Sequence, residues 1–161
     1  MMLLLGLAGL ALLIGWACAP LQIDLSVTAS QVRKGTDGVP GRGIAAATIT
    51  AGQPLYRLAD DTIGLCDADG DATTSLCLGI AVHGSLAGQA IEWQNGGSIT
   101  IGAAATMTVG EVYITSDTAG GIRPIADVDA GDYVSILGVA STAAILKMPV
   151  TGVFNSVVIH A

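Results

Sequence analysis

From Ile44 onward the apolar residues come in short runs parted by Gly, Asp, Asn and Ser. Runs this short, rich in Ile and Val, predict strands; no stretch sustains the 3.6-residue recurrence of an amphipathic helix. The expected strands lie near 44–50, 54–58, 62–66, 76–83, 89–94, 98–101, 106–108, 111–115, 122–125, 132–140, 143–148 and 153–160. Their turns read ADD, DADGD, GSLAG, NGG, GAAA, SDTAGG and DVDAG. AAATI and ASTAAIL have helical propensity, yet their β-branched neighbours favour strand. The pattern implies an all-β fold, a short-stranded sandwich or barrel, over residues 44–161.

Upstream the pattern changes twice. Residues 1–20, MMLLLGLAGLALLIGWACAP, carry no charge, and the first ionised side chain is Asp24. Such a run predicts an apolar helix or arm, with three uses open: a membrane anchor, a signal or lipoprotein sequence lipidated at Cys18, or a segment buried against protein. In 21–27 the residues Leu21, Ile23, Leu25 and Val27 alternate with polar ones, as in a half-buried strand. Then 30-SQVRKGTDGVPGRG-43 breaks the alternation with four Gly and a Pro, and reads as a linker or extended arm. The expected divisions are 1–20, 21–43 and 44–161.

One phrase recurs within the β region. It stands at 51-AGQPLYRLADD-61, 87-AGQAIEWQNGG-97, 109-VGEVYITSD-117 and 130-AGDYVSILG-138. Each copy predicts a tight turn in which Gly52, Gly88, Gly110 or Gly131 takes φ > 0 and leads into a strand. Longer blocks also repeat. TITAGQPLYRLADDTIG (48–64) parallels TMTVGEVYITSDTAGG (106–121), and LG-[IV]-A occurs in both 76–85 and 135–144. An offset of 57 to 59 residues predicts an internal duplication.

Composition narrows the function. The chain has 161 residues, 52 % hydrophobic and 12 % charged, with 4 % aromatic and 22 Gly. That is too apolar for disorder, and the core must be built from Ala, Val, Ile and Leu. A net charge of −7 with six Lys and Arg leaves no basic stripe for nucleic acid. Three of the six, Arg33, Lys34 and Arg42, cluster within ten residues; a solvated linker is the plainer reading, and contacts to an acidic neighbour the other.

Candidate chemistry is sparse. Asp67, Asp69 and Asp71 in 67-DADGD-71 are weak metal candidates, since hard cations favour clustered carboxylates; a polar hairpin tip explains them too. The spacing is not that of an EF-hand. Cys66 and Cys77 flank that loop and either pair across it or stay as buried thiols. His83 and His160 have no nucleophile motif near them, and no GxSxG elbow or phosphate loop occurs. No cofactor is implied and no enzyme is expected. Trp16 and Trp93 are candidate interface residues, with core packing the alternative for Trp93.

The β region resembles small structural proteins of tailed bacteriophages: capsid decoration, cement and head-spike proteins. The resemblance spans roughly 44–148. It is carried by the A-G-Q strand entrances, G-x-[IV]-T-[IV]-G, Y-[IV]-x-[ST]-D-x-A-G-G-I-x-P and LG-[IV]-A-x-[ST]. It implies a non-enzymatic virion protein on the capsid surface, a homotrimer bound between major capsid protein subunits, with residues 1–20 as a docking arm. The alternatives are a membrane-anchored or lipidated protein of the cell envelope, and a tail or spike protein that binds a host receptor.

Overall fold

The computed structural model describes residues 24–149 and the backbone of 156–158. The fold is all-β: two antiparallel sheets, consistent with a sandwich, and three short 3-10 turns at Ala29–Gln31, Ala103–Ala105 and Ile125–Asp127. The strands are β1 (Arg33–Lys34), β2 (Val39–Ile44), β3 (Pro54–Arg57), β4 (Ile63–Leu65), β5 (Gly79–Ala81), β6 (Ala90–Asn95), β7 (Gly97–Thr100), β8 (Val112–Thr115), β9 (Ile122–Pro124), β10 (Tyr133–Ala140), β11 (Ile145–Met148) and β12 (Ser156–Val158). The first sheet runs β2-β6-β5-β3-β4. The second runs β1-β7-β11-β10-β8-β9, with β12 also on β10.

The two orders are the same order. Replace β2, β6, β5, β3 and β4 by β7, β11, β10, β8 and β9, and one sheet becomes the other. The registers match as well. Leu55 faces Leu65 and Gly79, while Tyr113 faces Pro124 and Gly138. Ala81 faces Trp93, and Ala140 faces Leu146. The sequence repeat is therefore a repeat of structure: two modules built on one plan.

The recurring phrase is one turn used four times. In each copy the residue after Gly donates its N–H three residues back: Gln53 to Thr50 (3.3 Å), Gln89 to Leu86 (3.0 Å), Glu111 to Thr108 (3.1 Å) and Asp132 to Asp129 (3.3 Å). The Gly at the third position has φ of +92°, +79°, +86° and +96° respectively, which marks a type II turn. The polar residue after it has a purpose too. Its side chain accepts the turn's first N–H: Gln53 Oε1 from Thr50 (2.7 Å), Gln89 Oε1 from Leu86 (3.1 Å) and Asp132 Oδ2 from Asp129 (2.8 Å). In the remaining copy Thr108 N–H donates to the Tyr113 hydroxyl (2.9 Å), which donates to Glu111 Oε2 (3.2 Å). A donor that sheet pairing would leave orphaned is satisfied each time.

The LG-[IV]-A block also has a steric cause. A Cβ on Gly79 would lie 2.3 Å from the Gln94 carbonyl oxygen, and one on Gly138 would lie 2.4 Å from that of Lys147. Both contacts are between the same pair of strands in the two modules. Only Gly allows this approach.

One core lies within the first module, and a larger one is shared between the two. Ala45, Ile49, Leu55, Ile63, Ala81, Ile91 and Trp93 pack inside the first sheet. A parallel bridge from Ala45 to Ile63 joins that sheet's two ends, so it curls around this cluster. The larger core holds Met107, Tyr113, Ile122, Ala140, Leu146 and Met148 of the second module together with Cys66, Cys77, Ile80 and Val32. Full burial of an Ile or Leu side chain contributes about 1.5–3 kcal/mol.

Three expectations differ from the structure. Segment 30–43, expected as a linker, supplies β1 and β2, so the division at residue 44 cuts through a strand. Residues 24–27 of the predicted 21–27 strand have no strand pairing, although Leu25 donates to the Ile122 carbonyl (2.8 Å). The predicted 106–108 strand is absent because Thr106 is left-handed at φ +48° after the 3-10 turn. The expected N-terminal helix, Trp16 and Cys18 lie outside the described residues. Among the described residues no helix is long and apolar enough to cross a membrane.

Candidate functional site

The basic cluster folds onto the chain's own acid. Lys34 Nζ lies 2.7 Å from Glu92 Oε1 and Arg42 Nε 3.1 Å from Oε2. Strand pairing causes this: Arg42 faces Glu92 across β2 and β6. The two cations hold the Glu92 carboxyl below the usual carboxylate range. Arg33 instead donates to the Ser30 and Val32 carbonyls, both at 2.7 Å. Next to this cluster His83 is placed by the backbone. Its Nε2 accepts the Glu92 N–H (3.2 Å) and its Nδ1 lies 2.9 Å from the Gly84 carbonyl. The neutral Nδ1–H tautomer satisfies both contacts.

The Asp67–Asp71 loop uses its carboxylates as turn formers. Asp67 Oδ1 accepts the Asp69 N–H (3.2 Å), and Asp71 Oδ1 accepts those of Thr73 (2.7 Å) and Thr74 (2.8 Å). The latter bonds lower the Asp71 pKa, whereas burial followed by the neighbouring Asp69 raises that of Asp67. Among the described residues no three His, Cys, Asp or Glu side chains come together to hold a metal ion. Trp93 is only 5 % exposed within the first core and offers no ring to a partner. Part of its task is visible at Gly41, where a Cβ would sit 2.2 Å from the indole.

Cys66 and Cys77 are free thiols, both buried in the larger core. Burial, then hydrogen bonding with the Cys77 thiol, pushes the Cys66 pKa well up. A protonated buried thiol is a poor nucleophile.

Two buried polar side chains, Gln94 and Arg123, tie the fold together. Gln94 Oε1 accepts the Gly35 N–H (2.9 Å), and its Nε2 donates to the carbonyls of Gly96 (2.8 Å) and Ser98 (3.0 Å). It thereby pins the arm before β2 to β6 and β7. Arg123 on β9 is fully buried and pairs with Asp132 of the fourth turn and, at 3.3 Å, with Asp117. Its register position in the first module is Gly64, so this ion cluster belongs to the second copy alone. The only sequence signal was that Arg123 sits inside a strand between two apolar residues.

Small hollows flank Asp24. One, of about 320 Å³, lies between the first turn and residues 118–122; the other, of about 280 Å³, reaches Thr108, Glu111 and Tyr113. In the second the Tyr113 hydroxyl is held by Glu111 Oε2 and the Thr108 N–H. What the molecule presents outward is partly apolar: Val39, Ile44, Leu76, Leu86, Val109, Ile136 and Val139 are all at least 41 % exposed. No family model and no curated protein matches the chain. The fold and its polar contacts define a duplicated all-β module.

Proposed function

We propose that this chain is a structural virion protein. It decorates and cements a tailed-phage capsid by binding between major capsid protein subunits as a homotrimer. The observation that carries the reading is where the family-like residues lie. A-G-Q, LG-[IV]-A and their second copies build turns and close strand approaches rather than a reaction centre. Their repetition makes a frame whose work is to hold surface in place. Exposed apolar side chains spread over both modules support the reading, because such surface favours burial against protein.

The role assigned to the basic cluster changes with the structure. Lys34 and Arg42 share the single carboxylate of Glu92, so much of their charge is met within the chain and the shell contact rests mainly on apolar burial and shape. Shells assembled from the cognate major capsid protein provide the test. Added chain should co-sediment with them at a fixed ratio and raise their melting temperature. Free chain left in the supernatant, with shell melting unchanged, would sink the proposal.

A further inference from the structure

The duplication shows what the second module lacks. In the first, Ala46 donates its N–H to the Ile63 carbonyl (2.8 Å), and the Ala45–Ile63 bridge closes the two ends of the sheet on each other. Gly41 faces Trp93 and Ile99 faces Leu146, so Ala103 holds in the second module the place of Ala45. Ala103 makes no such closure. It opens the 3-10 turn Ala103–Ala105 and gives its N–H to Gln31 Oε1 (3.1 Å). The place of Ile63 is held by Ile122, which faces Thr115 as Ile63 faces Arg57. The Ile122 carbonyl accepts the N–H of Leu25 (2.8 Å). Residues 24–27 thus lie along β9, the end strand of its sheet, where the first module uses residues 45–46.

This substitute closure touches both modules and is loosely held. Leu25 and Val27 pack, partly buried, against the shared core. Val27 also lies on the first module's turn, where a Cβ on Gly52 would stand 2.3 Å from its Cγ1. Among the described residues the Leu25 N–H makes the one backbone hydrogen bond from 24–27 to the sheets. Residues 45–49, by contrast, have backbone hydrogen bonds with Ile63, Ser85, Gly88 and Gln89. Hollows of about 320 and 280 Å³ flank Asp24 and Leu25. Asp24 Oδ1 is shut off from solvent and has no hydrogen-bond partner among the described residues; an acceptor buried in this way opposes closure. A segment with so few ties opens at lower free energy than the sheet it covers.

We propose that residues 24–27 are a releasable strap over the edge of β9. Seated, they give the second module the closing strand it does not build itself, and they cover an edge that would otherwise template pairing. Withdrawn, they leave a groove that accepts an extended segment with apolar side chains two residues apart, as Leu25 and Val27 are. The Ile122 carbonyl supplies the backbone bond, and the seats of Leu25 and Val27 select the side chains.

The proposal rests on the duplication and is independent of the shell assignment. Hydrogen exchange of the full chain, in a mild non-ionic detergent, is the first test. The Leu25 amide should exchange at least about tenfold faster than those of Ala46 and Ile49. Equal protection would overturn the proposal, and this measurement needs no variant that might fail to fold. The second test is a fluorescein-labelled peptide, LQIDLSV, read by anisotropy. In wild-type chain the strap competes from the same molecule at high effective concentration. Leu25→Ser with Val27→Ser weakens the strap, so that chain should bind the peptide at least about tenfold more tightly than wild type. A peptide with Ser at the same two positions should bind neither chain. A doubly substituted chain that takes up LQIDLSV no better than wild type, or that binds the Ser peptide equally well, would overturn the proposal.

Discussion

Replacing Gly79 by Ala should damage this protein more than replacing the turn glycines Gly88, Gly110 or Gly131. A Cβ there would stand 2.3 Å from the Gln94 carbonyl oxygen, a backbone atom that cannot rotate away. Relief requires β5 and β6 to separate by nearly an ångström. Overpacking of this sort costs about 1–3 kcal/mol, and each weakened ladder hydrogen bond adds about 0.5–1.5 kcal/mol. A loss of about 3 kcal/mol or more follows, a large share of the roughly 5–15 kcal/mol that holds a domain folded. Gly138→Ala should behave alike, because its Cβ would meet the Lys147 carbonyl oxygen at 2.4 Å.

Three of the four turn glycines provide the control; at Gly52 a Cβ would also meet Val27 at 2.3 Å. Gly88, Gly110 and Gly131 have φ near +79°, +86° and +96°, and a Cβ would meet nothing within 4 Å. Only left-handed strain applies, about 1–2 kcal/mol, partly offset by about 0.4–1 kcal/mol of unfolded-state entropy. Urea titration followed by circular dichroism would rank the variants. If Gly79→Ala and Gly138→Ala lost no more than Gly88→Ala, the close-approach account of LG-[IV]-A would be wrong.

Further outcomes follow from the polar contacts. Asp132→Ala removes a partner from the fully buried Arg123 and the acceptor for the Asp129 N–H; it should cost about 3–5 kcal/mol, whereas Lys34→Ala on the exposed Glu92 pair should cost under about 1 kcal/mol. Denaturant melts of both variants check this contrast. Hydrogen bonds to Ser98, Thr62 and Thr74 hold the Asp37, Asp60 and Asp71 carboxyls below their ordinary pKa values, and Lys34 with Arg42 do so for Glu92. Lowered folded-state values mean that this stability is present above the unfolded pKa and is lost as pH falls through the folded one. Asp67, raised by burial, acts in the opposite sense. The melting temperature should therefore drop between pH ~5 and ~3, and a flat profile there would refute the balance. Peptide mapping after thiol alkylation should find Cys66 and Cys77 unmodified in native protein and modified in urea, as both are buried.

Much of the fold was legible because the chain repeats its punctuation. The four Gly-polar turns lie where the phrase recurs, and the strands after them begin at Pro54, Ala90, Val112 and Tyr133. The unread parts have physical causes. Strand β2, VPGRGI, looks like a loop because an edge strand tolerates Pro, and because Trp93 and Ile63 press on Gly41 and Gly43. Thr-Met-Thr at 106–108 alternates like a strand, yet Thr106 is used to leave a 3-10 turn. Arg33, Lys34 and Arg42 looked like a free basic patch because Glu92 is 50 residues or more away in sequence and arrives only through strand pairing. The burial of Arg123 could not be foreseen because its partner Asp132, nine residues on, reads as an ordinary turn residue.

Cryo-electron microscopy of the intact particle tests the central claim most directly. The account predicts duplicated β density of this chain on the outer surface of the shell, between major capsid protein subunits and in threefold groups. Density confined to the tail, or particles that lack the chain while it fractionates with host membranes, would contradict it.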